Sequence, residues 1–234
     1  AEILDPTPGT FCWVELATSD PVAGKRFYEE LLGWNTVDLD MGITYTMAAI
    51  GEGKYVGGIM ELPPPAKAMG APPHWMGYVA VTDVPAAIAR ATSLGGKLVH
   101  GPMPMGPGSL AVLQDPAGAV FSVWHDPDPK NIFVYGATGA LCWNELISTN
   151  LDVAGKFYSD VFGWKLERAP MEGMEYTLAK LGDAQVGGMM AQPKEMAGAP
   201  SMWNVYFAVA DCDATMAKAK ELGGKVVSPP MDVP

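Results

Sequence analysis

The chain says one thing twice. "GTFCWVELATSDPVAGKRFYEELLGW" at 9–34 returns as "GALCWNELISTNLDVAGKFYSDVFGW" at 139–164. Trp13 thus answers to Trp143, Phe27-Tyr28 to Phe157-Tyr158 and Gly33-Trp34 to Gly163-Trp164, each 130 residues further on. "VGGIM" at 56–60 recurs with the same offset as "VGGMM" at 186–190, and "LGGK" at 94–97 recurs at 222–225, an offset of 128. Solenoid units are far shorter than this period, so the spacing predicts two duplicated domains in tandem. Their expected limits are 1–128 and 136–234.

Each copy carries its own punctuation. Residues 11–17 alternate as a strand, which places Phe11, Trp13, Glu15 and Ala17 on one face and Cys12, Val14 and Leu16 on the other. Ser19 or Asp20 offers a helix N-cap, with Pro21 suited to the first turn. Ala23, Phe27 and Leu31 recur at four-residue spacing, predicting a helix that buries this stripe and closes at Gly33. Strands are expected at 44–50 and 55–60, whereas the connector "ELPPPAKAMGAPP" is too rich in proline for regular structure. "HWMGYVAV" then reads as a strand, 83–94 as a helix ended by Gly95-Gly96, and "GSLAVLQDPAGAVFSVW" as a hairpin turning at "DPAG". Strand, helix and strands, twice per copy, make an α+β chain of four modules. Aligning 99–106 with 227–234 leaves no counterpart of 107–124. The expectation is that the last hairpin of copy two is missing by truncation of a longer protein, because an open sheet edge is a pairing liability.

Of the 234 residues, 49% are apolar and 18% charged, a globular balance. A formal charge of −11 argues against a nucleic-acid partner, whose phosphates it would repel. No apolar run approaches the roughly 20 residues that span a bilayer, and the start lacks the basic flank and apolar stretch of a secretory signal. Cys12, Cys142 and Cys212 form no CxxC pair and read as small hydrophobes in a reducing, cytoplasmic setting. His74, His100 and His125 have no partner at the spacing of a metal site, and "GPMPMGPG" lacks the lysine of a phosphate-cradling loop.

"WVELATSDPVAGKRFYEELLGW", "VAVTDVPAAIARATSLGGKLV" and "DPAGAVFSVW" together resemble the vicinal oxygen chelate superfamily, the glyoxalase/bleomycin-resistance/extradiol-dioxygenase group. The tandem layout is similar to two-domain glyoxalase-like bacterial proteins of a mycobacterial antigen family. The resemblance implies paired βαβββ modules whose curved mixed sheets form a half-open barrel around a ligand cavity. In metal-using members four side chains, typically His, Glu or Gln, point into it. Carried onto this chain, those positions fall at Trp13, Gly58, Met76 and Ser122 in copy one and at Trp143, Gly188 and Asn204 in copy two. No such set suits a divalent ion: tryptophan does not coordinate, methionine is soft and serine is poor. No cofactor is therefore expected, and the family's metal-dependent isomerisation and ring cleavage are not expected either.

Glu15 and Glu145 share a strand face with the preceding tryptophan. Each is a candidate general base or ligand-orienting group, and equally a carboxylate that ties down a neighbouring segment. Trp13 and Trp143 are candidates to stack on a planar ligand, or core aromatics. Tyr78 and Tyr206 lie two residues past an implied ligand position and offer hydroxyls to the cavities. Met60 and Met76 belong to a methionine-rich set fit for a plastic apolar pocket. Three readings follow. The first is a metal-independent binder of a small, mostly apolar molecule, gripped by Trp13, Met76, Tyr78 and Trp124 and oriented by Glu15 and Ser122, as in sequestration or resistance. The second is a metal-free lyase, isomerase or hydroxylase-like enzyme with Glu15 or Glu145 as base. The third is a non-catalytic interaction protein. Neither nucleic acid nor membrane is expected as partner, and the chain is expected as monomer or homodimer.

Overall fold

The computed structural model describes residues 2–3, 7–40, 42–128, 133–171 and 174–232. The junction at 129–132 between the two expected domains lies outside the described residues. The first half begins with β1 (Glu2–Ile3), β2 (Phe11–Thr18), α1 (Pro21–Leu32), β3 (Asn35–Asp40), β4 (Thr44–Ala49) and β5 (Tyr55–Glu61). It continues with α2 (Pro64–Ala68), β6 (His74–Ala80), α3 (Val84–Ser93), β7 (Lys97–Met105), β8 (Gly108–Gln114) and β9 (Val120–His125). The second half contains β10 (Val134–Tyr135), β11 (Leu141–Ser148), α4 (Leu151–Phe162), β12 (Lys165–Met171) and β13 (Met174–Leu181). It ends with β14 (Ala184–Ala191), β15 (Met202–Phe207) and α5 (Cys212–Glu221).

The elements start where the side chains dictate. Asp20, Asp83, Asn150 and Asp211 each accept a hydrogen bond from the backbone N–H three residues on, capping α1, α3, α4 and α5. Gly33 and Gly163 close α1 and α4 in the left-handed region, at φ 69° and 75°. The connector is not irregular throughout as expected: Pro64 and Pro65 open the short helix α2, because proline fits a first turn whose N–H groups have no intrahelical partner.

Two mixed sheets result. The first has eight strands in the order β3-β4-β5-β2-β6-β9-β8-β7, with β2 parallel to β5, β6 parallel to β9, and an antiparallel seam between β2 and β6. In the second, β12-β13-β14-β11 runs in the order of β3-β4-β5-β2, β15 pairs β11 as β6 pairs β2, and β1 and β10 join beyond Leu141. β9 lines the other edge of β6; among the described residues no strand lines that edge of β15. The hairpin at "DPAG" joins β8 to β9 as expected.

The halves clasp each other. Trp34 Nε1 donates to the Gly139 carbonyl and Trp164 Nε1 to the Gly9 carbonyl, both at 2.7 Å. A Cβ at Gly96 would lie 2.9 Å from the Phe157 ring, and one at Gly224 would lie 3.3 Å from the Phe27 ring. The second glycine of each "LGGK" thus admits a phenylalanine from the other half. The largest buried cluster is shared, joining Phe11 and Phe121 to Phe157, Tyr158, Trp164 and Trp203.

Two sequence expectations about side-chain direction need correction. Phe11 does not share a face with Trp13: the β2–β6 register shifts between them, and the Phe11 ring packs on Trp164 and Trp203 at the interface of the halves. Gly77 makes room for that ring, since its Cβ would stand 2.8 Å from it. The stripe on α1 is not buried either. Ala23 is exposed and Phe27 and Leu31 are half-buried: α1 meets α5 as α4 meets α3, but α4 also buries its Phe157 against the strand residue Phe121. Cys12 is buried and Cys142 half-buried as small hydrophobes would be, but Cys212 is exposed at the start of α5. Among the described residues no helix is long and apolar enough to cross a membrane.

Candidate functional site

Residues directly opposed across a sheet share a face. One such row crosses the first sheet through Val37, Met47, Gly58, Glu15 and Met76. The next row runs through Trp13, Tyr78, Ser122, Val112 and His100. Where the rows adjoin, four side chains make one network. Trp13 Nε1 donates to the Tyr45 hydroxyl at 2.9 Å, Tyr78 Oη donates to Glu15 Oε1 at 2.8 Å, and the Tyr45 hydroxyl lies near enough to the Glu15 carboxylate to influence its protonation.

The second half repeats the arrangement. Trp143 Nε1 donates to Tyr176 Oη at 2.8 Å, Tyr176 donates to Glu145 Oε2 at 2.9 Å, and Tyr206 donates to Glu145 Oε1 at 2.7 Å. The corresponding row reads Glu167, Leu178, Gly188, Glu145 and Asn204. The first network is closed off, with Glu15, Tyr45 and Tyr78 buried, whereas Tyr206 is 43% exposed.

The duplicated "VGG" finds its reason here. A Cβ at Gly58 would fall 2.0 Å from Tyr45 Oη, and one at Gly188 would fall 1.8 Å from Tyr176 Oη. Any side chain at these places, a metal ligand included, would displace the tyrosine beside the glutamate. Tyr45 and Tyr176 were not among the expected site residues. The signal that could have found them is the dipeptide Tyr-Thr, present at 45–46 and again at 176–177.

Burial pushes the Glu15 carboxyl above its ordinary value of 4.5, and the hydroxyls of Tyr45 and Tyr78 offset only part of this. An acid whose folded value is raised adds stability that is complete below the ordinary value and is lost as pH rises through the raised one. Glu15→Gln is therefore expected to flatten the fall in stability between pH 4.5 and neutrality. Urea unfolding at several pH values measures it, and parallel curves for variant and wild type would contradict it. Asp115, also raised by burial, keeps part of the slope in both proteins.

The other expected site residues are placed as follows. Met76 and Tyr78 join Cys12, Ala80 and Leu110 in a buried cluster, against which Trp13, Met103, Met105, Val112 and Trp124 pack. These side chains form one apolar surface layer beside Glu15. Ser122 lies in that region fully buried, its hydroxyl without a hydrogen-bond partner among the described residues. The Trp13 ring meets Phe133 with centroids 5.5 Å apart. Met60 is half-buried opposite Tyr45 and Ala17, and Asn204 is half-buried opposite Glu145. Cys12 and Cys142 Sγ donate to the carbonyls of Tyr78 and Tyr206. His74 and His125 turn Nδ1 towards the carbonyls of Pro72 and Val81. Among the described residues no three His, Cys, Asp or Glu side chains are grouped as metal ligands would be. The donor chemistry of Trp13, Gly58, Met76 and Ser122 does not fit a divalent ion.

In both sheets one strand, β2 or β11, pairs parallel on one side, with β5 or β14, and antiparallel on the other, with β6 or β15. The chain belongs to the Glyoxalase/Bleomycin resistance protein/Dioxygenase superfamily, whose sequence pattern matches residues 10–123 and 141–234. It is 40% identical over 233 residues to a Mycobacterium tuberculosis protein named "Putative glyoxylase CFP32", covering 97% of this chain and 87% of that one. It is 34% identical over 239 residues to the anthracycline biosynthesis protein DnrV of Streptomyces peucetius, covering 97% and 86%. The Mn(II)-bound glyoxalase of Novosphingobium aromaticivorans shares the fold, with a TM-score of 0.62 and 19% identity over 92% of this chain and 70% of that one.

Proposed function

We propose that the chain is two tandem copies, 1–128 and 136–234, of a metal-independent superfamily member that binds a small, mostly apolar molecule on a concave sheet face. One observation carries this reading. In both copies the places where metal-using relatives present ligands hold tryptophan, glycine and either methionine or asparagine. The nearby glutamate is already engaged by tyrosine hydroxyls. Trp13, Met60, Met76, Tyr78, Ser122 and Trp124 would shape the apolar surface in copy one, and Trp143, Asn204 and Tyr206 would do so in copy two. Glu15 and Glu145 would brace it. The relative DnrV is named for anthracycline biosynthesis, a small-molecule setting in keeping with this. Neither nucleic acid nor membrane is required, and the reciprocal clasp lets a cytoplasmic monomer supply the paired halves that a homodimer would otherwise provide.

The expected result is that some members of a neutral hydrophobic library raise the melting temperature, while divalent metals and chelators leave it unchanged. A transition metal held tightly on either concave face, seen by anomalous scattering, would overturn the reading.

A further inference from the structure

We infer that an apolar hollow on the outer strands of the first sheet is the subsite for a neutral aromatic molecule of one or two rings. The inference deepens the function proposed above and rests on it. The hollow has a volume of about 280 Å³ and is walled by Val37, Met47, Ala49 and Tyr55, with Glu52 and Asn35 at its edge. That is slightly below the roughly 300–1,000 Å³ of ordinary ligand sites, which limits the occupant to a small molecule.

Its position connects it to the conserved geometry of the two halves. Val37 and Met47 continue the row that passes through Gly58 to Glu15. Tyr55 bridges to Phe133, whose ring meets Trp13. The floor of the hollow is therefore continuous with the Trp13–Tyr45–Glu15–Tyr78 network.

The other half shows how the same place looks when it is only a solvated surface. Lys165, Glu167, Leu178 and Lys180 stand where Asn35, Val37, Met47 and Ala49 stand. Lys180 and Glu167 form an ion pair across the strands. Charges on an edge strand keep it soluble and unpaired. On this face of β3, also an edge strand, the first half has Asn35 and Val37 instead, its carboxylates Asp38 and Asp40 lying at the alternate positions, and Val37 is 60% exposed. The first half thus presents a small apolar surface where the second presents an ion pair.

Charge and chemistry narrow the occupant. Among the described residues that line the hollow the one charged group is Glu52, and the chain carries −11, so an anion is disfavoured. The Met47 thioether suits the face or edge of a ring.

The test is titration of the full chain with 2-naphthol, a neutral fluorescent two-ring probe, followed by its emission. Wild type is expected to bind one equivalent. Val37→Glu with Ala49→Lys, which writes the ion pair of the second half into the first, is expected to weaken binding about ten-fold or more, because the probe must then desolvate two charges. Both positions are at least partly exposed, so the melting temperature should hold. The reciprocal pair, Glu167→Val with Lys180→Ala, is expected to add a second equivalent. Unchanged affinity in the first variant, with loss in Met76→Ala instead, would overturn the hollow and leave the broader reading standing. Self-association that the first variant abolishes, without probe binding, would equally overturn it. Failure of every library member to bind would instead defeat the broader reading.

Discussion

Replacing Gly58 by alanine is expected to lower the free energy of unfolding by about 3 kcal/mol. On backbone grounds alone the change should help slightly, since glycine within a strand is less favourable than alanine by about 0.5–1 kcal/mol. The sign is decided by Tyr45. The new methyl carbon would sit 2.0 Å from its hydroxyl oxygen, 2.4 Å from Cζ and 2.8 Å from Cε1. The ring cannot retreat cheaply, because it is buried and its hydroxyl accepts the Trp13 indole N–H beside the Glu15 carboxyl. Moving it costs packing and leaves the indole N–H without its acceptor. Gly188→Ala is expected to lose less, about half as much, because Glu145 and Tyr206 are more open to solvent that can replace a lost hydrogen bond. In a Tyr45→Ala background the Gly58 substitution should become neutral or stabilising, which a double-mutant cycle in urea would measure. A cost within 0.5 kcal/mol of zero for Gly58→Ala in the wild-type background would mean that Tyr45 does not stand over Gly58.

The network explains why the outline of the molecule could be read in the sequence while its site could not. The repeat, the aspartate caps, the closing glycines and "DPAG" are local signals, and each names a backbone event within a few residues of itself. Glu15 could be assigned to a face in the same way, because strand alternation holds from Trp13 onward. Phe11 could not, since one extra residue in a bulge reverses the parity of everything before it without altering the composition. Tyr45 meets Glu15 only through Gly58, across two strand pairings whose register no local pattern encodes. Its traces in the sequence were the repeated Tyr-Thr and a glycine kept in both copies where a strand has no backbone need for one. The packing of Met76 and Tyr78 against Leu110 was hidden for the same reason. Knowing that a residue faces inward does not say whether its neighbours leave room. The charge difference between Val37 and Glu167 was open to inspection throughout. It acquired meaning only when register put Glu167 opposite Leu178, with Lys180 close enough to pair.

Trp164→Ala is expected to cost about 4 kcal/mol and to weaken both halves together. By chain position Trp164 belongs to the second half, but its partners belong to both. Its indole N–H holds the Gly9 carbonyl, and its ring lies 6.0 Å from Phe11, 5.5 Å from Tyr158 and 5.3 Å from Phe162 between centroids. Removing it opens a cavity in the largest buried cluster and leaves a backbone acceptor unpaired. Trp164→Phe keeps most of the ring and loses the donor, so about 1–2 kcal/mol is expected. Trp34 is the counterpart, holding the Gly139 carbonyl with its ring 5.4 Å from Phe207. Its cluster is smaller, so Trp34→Ala should cost less than Trp164→Ala. Hydrogen exchange distinguishes a shared core from two adjacent ones. If the clasp couples the halves, the amides of β4 and β13 should lose protection in parallel in Trp164→Ala, with one unfolding transition throughout. Loss confined to β11–β14, with β2–β5 as protected as in wild type, would mean that each half folds alone and the tryptophans merely touch.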